Sequence, residues 1–181
     1  MQDIPITQLI NEQSLNFSAE EQVNFKEVYL HLKKVARIQK VKISNGQLDT
    51  TELVNDTWLK LNQSNKNYKN RNHFFAVCAL SMKHILINQS KKIQQMHHKN
   101  QLIKGDYDAN ELFGEAEWMI ELQQQLIRLK KYSSRLEEVF TYKFFGGLTN
   151  KEMAQLFAVN ERTIERDWLK AKSLIGSALE R

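Results

Sequence analysis

The segment NERTIERDWLKAK, residues 160–172, carries cations at a spacing that could read a nucleic acid. At about 100° per residue, Arg162, Arg166 and Lys170 align four apart with Thr163 beside them. Ile164, Trp168, Ala171 and Ile175 share an opposing arc of roughly 60° and form an inward face. A helix of this width fits the DNA major groove, where an Arg fork pairs with guanine and Thr or Glu can touch other base edges. Leu169 lies on the same outward arc and would need a base methyl or a partner surface to cover it. Taken alone, the face reads as a solvated one, with Glu161 and Glu165 or Arg162 and Arg166 as plain i,i+4 surface neighbours. The residues before it favour the DNA reading. Thr149 and Glu152 make a T-x-x-E capping box for a short helix with Met153, Ala154 and Phe157 inward. Ala158-Val159 then turn the chain, and Asn160 caps the second helix. Two helices this close, with small Ala154 at their crossing, form the helix-turn-helix pattern, although Ala158 stands where glycine is usual.

A second cluster interleaves rings with bases. Tyr68, His73, Phe74 and Phe75 lie near Lys66, Lys69, Arg71, Lys83, His84, Lys91 and Lys92. Rings that stack on bases beside cations that hold phosphates are what an unstacked strand requires. The competing reading makes Phe74 and Phe75 core residues and the lysines solvated. Tyr68, with Asn67 and Asn70 in a polar loop, is the better candidate for meeting a base. A third stretch, LVNDTWLKL at residues 53–61, is an apolar helix with Asn55 and Asp56 exposed, able to dock a partner or merely to pack.

Enzymatic chemistry is not expected. His31, His73 and His84 stand apart, the adjacent His97 and His98 cannot both face one ion from a helix, and no carboxylate follows at i+4 to complete a site; no nucleophile–base pair or glycine-rich phosphate loop is present. The single cysteine, Cys78, excludes an internal disulfide and a cysteine zinc cage, and it reads as core packing. No metal or cofactor is expected.

Helices must position these groups. The 181 residues contain one proline and six glycines, too few for an all-β architecture with frequent turns. No apolar run is long enough to span a membrane, and MQDIPITQLI lacks the basic start and apolar stretch of a secretory signal, so a cytoplasmic protein is expected. Ser18 with Glu21 opens a helix carrying Val23, Val28, Leu32 and Val35. Asp49 with Glu52 opens one carrying Leu53, Val54, Trp58 and Leu61. Asn72 caps a long one carrying Phe74, Val77, Cys78, Met82, Ile85 and Leu86. Periodicity fades in the polar stretch from Gln94 to Gly114 and returns at Met119, Leu122, Leu126 and Leu129. Ser134 with Glu137 then caps a helix that stops at Gly146-Gly147. The expected fold is all-α: two small helical domains, 5–95 and 115–181, joined by a flexible linker at 96–114. The net charge of +5 resides in residues 1–95, with 13 basic and 8 acidic groups. Such a balance suits a polyanionic partner, although many basic proteins bind no nucleic acid.

LVNDTWLKL, then YKNRNHFFAVCALSMKHIL, then a polar linker, then FFGGLTNKEMAQLFAVNERTIERDWLKAK together resemble the extracytoplasmic-function (ECF) sigma factors, the minimal two-domain sigma subunits of bacterial RNA polymerase. The likeness runs from Ile6 to about Leu179 and is nearest to a subgroup with "NR-HFF" and "RDW" motifs. The resemblance implies that residues 5–95 are sigma domain 2. Leu53, Asn55, Asp56 and Lys60 would contact the polymerase clamp. Lys66, Asn67, Tyr68, Lys69, Asn70, Arg71, Lys83 and His84 would recognise and melt the −10 promoter element. Residues 115–181 would be sigma domain 4, seated on the polymerase flap. There Thr149, Lys151, Asn160, Glu161, Arg162, Thr163, Glu165, Arg166 and Lys170 would read the −35 element. The linker would thread toward the RNA exit path. The acidic run common before the clamp-binding helix is reduced here to Asp49-Thr50-Thr51-Glu52. The implied partners are core RNA polymerase and promoter DNA, with an anti-sigma factor left open, and the free chain is expected to be a monomer. The alternative is an ordinary helix-turn-helix regulator acting on duplex DNA without polymerase.

Overall fold

The computed structural model describes the backbone of residues 29–37, 50–62, 68, 70–100 and 107–179. Seven helices run through them in chain order. They are α1 (residues 29–37), α2 (Thr50–Asn62), α3 (Arg71–Asn100), α4 (Tyr107–Tyr132), α5 (Ser134–Gly146), α6 (Asn150–Phe157) and α7 (Glu161–Leu179). No strand occurs among the described residues, in agreement with the all-helical expectation. The predicted Ser18–Glu21 box and the Asp49 cap lie outside them.

The 30-residue α3 is the central element. It packs on α2 along one side and on α4 and α5 along others, so its apolar arc is wider than one face. Phe74, Phe75, Cys78, Ala79, Met82, Leu86 and Ile87 are all buried, while Val77 and Ile85 are half-buried. Phe75 therefore joins Phe74 in the core. The helix starts one residue before the predicted cap: Asn70 Oδ1 accepts the backbone N–H of His73 at 2.9 Å. Asn72 instead turns sideways and donates to Gln155 Oε1 at 2.9 Å.

Both ends of the expected linker are helical. α3 continues to Asn100 and α4 begins at Tyr107. The stretch contains no proline, and its polar composition removes the amphipathic signal without removing helix propensity.

The second half follows its periodicity closely. Met119, Leu122, Leu126 and Leu129 of α4 are buried, as are Leu136, Val139, Phe140 and Phe145 of α5. The cap of α5 falls on Ser133 rather than Ser134, with Ser133 Oγ accepting from the N–H of Leu136. Gly147 ends α5 in the left-handed region at φ 65°, and Leu148 N–H returns to the Tyr142 carbonyl. Gly146, one residue earlier, lies where α5 meets α3. A Cβ there would sit 2.6 Å from Ala79 Cβ, so a larger residue would force the helices apart. Buried residues of both halves, from Leu32 and Leu53 to Met119, Phe145 and Ile164, belong to one continuous apolar core.

Candidate nucleic-acid interface

Each turn of the α6–α7 unit is fixed by its own sequence. Thr149 is the N-cap of α6 in a full capping box: Glu152 N–H donates to Thr149 Oγ1, and the Thr149 N–H and hydroxyl both donate to Glu152 Oε2 at 2.8 Å. α6 ends at Ala158, which takes the left-handed conformation at φ 53° and is the one non-glycine residue of positive φ among those described. This is the position usually held by glycine, and alanine occupies it at a steric cost of about 1 kcal/mol. Asn160 then caps α7: its Oδ1 accepts the N–H of Thr163 at 2.8 Å and the Thr163 hydroxyl at 2.9 Å. Asn160 and Thr163 are thereby held against each other at the start of the helix.

The inward side of α7 anchors it. Ile164, Ala171 and Ile175 are buried, and Trp168 is half-buried and stacks on Phe140 of α5 with centroids 5.4 Å apart. Asp167, also buried, pairs with Arg135 of α5 at 2.8 Å. The sequence does not expose this pair, because nothing in it tells which of the helix's acidic residues, Glu161, Glu165 or Asp167, meets a cation on α5. The outward side presents Glu161, Arg162, Glu165, Arg166 and Leu169 to solvent, with Leu169 60 % exposed. Asn160, Arg162, Thr163, Glu165, Arg166 and Leu169 line one open depression. Arg162 and Arg166 form no ion pair among the described residues. Lys170 lies further along the same helix, with its ammonium 5.2 Å from the ring of Tyr132.

A neighbouring depression opens at the starts of α6 and α7, lined by Lys143, Phe144, Gly147, Leu148, Thr149, Asn150, Lys151, Glu161 and Trp168. Lys151 is exposed, as expected. Lys143, which no sequence motif marks, belongs to the same depression. It lies 5.2 Å from the Trp168 ring and donates to Asn150 Oδ1, and burial lowers its pKa while Glu165 pulls it the other way. Its position in the last turn of α5 gave no hint that it would reach the start of the next helix.

The first half places its expected residues unevenly. Lys66, Asn67 and Lys69 lie outside the described residues. Asn70, Arg71 and His84 are exposed, and Arg71 sits 5.5 Å from the Phe75 ring. Tyr68 is not in a solvated loop: only 6 % exposed, it packs edge-on against Phe74 at 5.1 Å, because the ring gains more from the aromatic cluster than from water. Lys83, expected at a DNA surface, is 9 % exposed and pairs with Glu137 of α5 at 2.7 Å. On α2, Leu53 is fully buried with Val54, Thr57 and Leu61, so its side chain belongs to the core and not to a docking face. Asn55 and Lys60 are exposed and Asp56 is half-buried. Leu59, 57 % exposed, sits near the middle of this polar arc and was not singled out from the sequence.

Among the described residues, no group of three or more His, Cys, Asp or Glu could hold a metal ion, and no helix is long and apolar enough to cross a membrane. Burial raises the Cys78 thiol pKa well above its ordinary value, in keeping with packing rather than reactivity.

The all-helical architecture and the capped helix-turn-helix define a DNA-binding class. The chain matches the model of the ECF sigma factor family over residues 4–181 and belongs to that family. It is thus a sigma factor for transcription initiation, of a non-enzymatic family whose partners are core RNA polymerase and promoter DNA. Neither the curated proteins nor the solved structures give a match.

Proposed function

We propose that the chain divides its labour as the two halves of its sequence suggest, with residues 115–181 reading the −35 element and residues 5–95 binding the polymerase clamp and opening the −10 element. The observation that carries this reading is the outward side of α7. Arg162 and Arg166 stand exposed in one depression with Glu165 and the capped Asn160–Thr163 pair, on a helix held from behind by Ile164, Trp168 and the Arg135–Asp167 pair. Such a helix presents two guanidinium forks to base edges without further rearrangement. Lys143 and Lys151, beside the first turns of α6 and α7, would hold backbone phosphates and set the register.

In the first half, the exposed arc of α2 around Leu59, with Asn55, Asp56 and Lys60 on it, would meet the clamp. Asn70, Arg71 and His84 would approach the melted strand. Opening a duplex costs a few kcal/mol per unstacked base, offset by contacts to the extruded strand. Two modest modules on one polymerase gain from effective concentration.

The test is run-off transcription with core polymerase on a promoter whose −35 base pairs are changed one at a time. Arg166→Ala is expected to lose about 1–3 kcal/mol of discrimination at one of those base pairs while binding core polymerase normally. An unchanged −35 preference would contradict the assignment of α7.

A further inference from the structure

The cations that flank α7 fall into two groups, one on each side of its outward arc. At about 100° per residue, Lys170 lies about 80° to one side of Arg162, while Glu165 and Trp168 lie about 60° and about 120° to the other. Lys143 belongs to the Trp168 side, with its ammonium over that ring, and Lys151 lines the same depression. On the Lys170 side stands the corner between α4 and α5. Tyr132, 66 % exposed at the end of α4, has the Lys170 ammonium 5.2 Å from its ring. Arg128, one turn before Tyr132, shares its side of α4, and Lys131 adjoins it. Both are exposed, and neither they nor Lys170 form an ion pair among the described residues. Arg135, next along the corner, is already neutralised by the buried Asp167. A ring as open to water as Tyr132 gains little from the core, and its contact is to a cation that it holds beside the outward arc.

We propose that the α4–α5 corner is a second contact to duplex DNA, outside the helix-turn-helix. Arg128, Lys131 and Lys170 bind phosphates on the wall of the major groove opposite the one held by Lys143 and Lys151, and Tyr132 positions the Lys170 ammonium for this. The proposal rests on the reading of α7 as the −35 helix. A helix roughly 10–12 Å across fills a groove about 12 Å wide, so each of its flanks meets one sugar-phosphate wall. Lys170 stands about 12 Å along the axis from Arg162, past the bases that the first turns can reach. Charge decides the partner: three cations gather around one ring, and the carboxylate packed against this corner, Asp167, is spent on Arg135. Contacts of this kind add affinity and hold α7 in the groove without preferring any base pair.

The experiment uses the full chain on core polymerase and a promoter duplex in which methylphosphonates remove one phosphate charge at a time beside the −35 element. Affinity is read by fluorescence anisotropy over a range of salt concentrations. The parent is expected to lose affinity at two sets of phosphates, one on each wall of the groove. Arg128→Ala with Lys131→Ala should abolish the response of one set and keep the other. The same double variant should make the slope of log affinity against log salt shallower by about two. Tyr132→Ala should flatten that slope by up to about one, whereas Tyr132→Phe keeps a ring under the ammonium and should match the parent. The −35 base preference should stay unchanged in all three.

An unchanged salt slope in the double variant, or two sets of phosphates that both still respond, would overturn the proposal. So would an unchanged slope with weakened core polymerase binding, which would make the corner a site for an acidic protein surface instead. A loss with Tyr132→Phe as large as with Tyr132→Ala would overturn the positioning role of the ring. Failure of the underlying reading looks different: Arg166→Ala would then leave the −35 preference intact, and no phosphate beside that element would respond even in the parent.

Discussion

Arg166 on α7 and Lys83 on α3 are both basic residues on long helices, and both carry the marks of a DNA contact in the sequence. Arg166 is exposed beside Arg162, Glu165 and Leu169. Lys83 lies buried against Glu137 and Thr141 of a helix more than fifty residues away. The contrast comes from what surrounds each helix. α7 packs on α4, α5 and α6 from one side only, so its outward arc stays open, whereas α3 is enclosed by α2, α4, α5 and α6. Periodicity reports which residues share a face, and only the full fold reports whether that face is covered.

The largest effect should come from undermining the open helix from behind. Ile164→Ala removes a fully buried side chain and is expected to cost about 2–5 kcal/mol in urea unfolding. Loss of −35 reading should accompany that cost, because the outward face keeps its residues but loses its support. A cost near zero would mean that α7 is not held by its inward arc.

Leu59→Ala comes next, and it extends the contrast to α2, where an apolar residue sits exposed on a polar arc. It is expected to weaken core polymerase binding by about 2 kcal/mol, as for an anchor residue at an interface. Its effect on stability should stay within about 0.5 kcal/mol. Leu53→Ala should do the reverse, destabilising the fold because Leu53 is buried. Titration of labelled core polymerase, alongside urea unfolding, reads both.

Ala158→Gly relieves the positive φ between α6 and α7. The strain removed is partly offset by the greater freedom of glycine in the unfolded chain, leaving a stabilisation of roughly 0.5 kcal/mol in thermal unfolding. Any destabilisation would show that the alanine methyl makes a contact worth more than its strain.

The smallest effect is a pH dependence at the junction of the halves. His31 of α1 lies 4.1 Å from the Phe75 ring, and burial lowers its pKa below 6.5, with a hydrogen bond to the Gly146 backbone acting in the opposite direction. The unfolded chain therefore takes up the proton more readily than the folded one. The contribution of His31 to stability is present above pH 6.5 and is lost as the pH falls through the lower folded value. Melting temperatures measured downward from pH 7 should fall, with part of that fall absent in His31→Gln. Identical slopes in the two proteins would contradict the depressed pKa.

Much of the second half was legible in the sequence because its signals are local. A capping box spans four residues, an Asn cap reaches its own first turn, and Met119, Leu122, Leu126 and Leu129 repeat at helical spacing. The turn at Ala158 was legible as a position, and its left-handed backbone explains why glycine is usual there. The misreadings share another cause. Tyr68 and Lys83 take their expected exposure from neighbours in sequence, and Leu53, on the apolar stripe of α2, takes its clamp role from the family resemblance, but burial depends on elements that arrive from elsewhere. Asn72 precedes an apolar run and so has the sequence marks of a cap, whereas Asn70 is better placed by two residues and leaves Asn72 to bond α6. The Lys83–Glu137 and Arg135–Asp167 pairs join residues whose separation carries no pattern that a single sequence exposes.

The most direct test of the whole account is initiation itself: sigma-free core polymerase, duplex genomic fragments, and the full chain added or withheld, with transcript start sites mapped. The chain is expected to confer specific starts which core polymerase alone does not make, and Arg166→Ala to redistribute them. Unaltered transcription, together with tight binding of the chain to the same duplex fragments in the absence of polymerase, would contradict it.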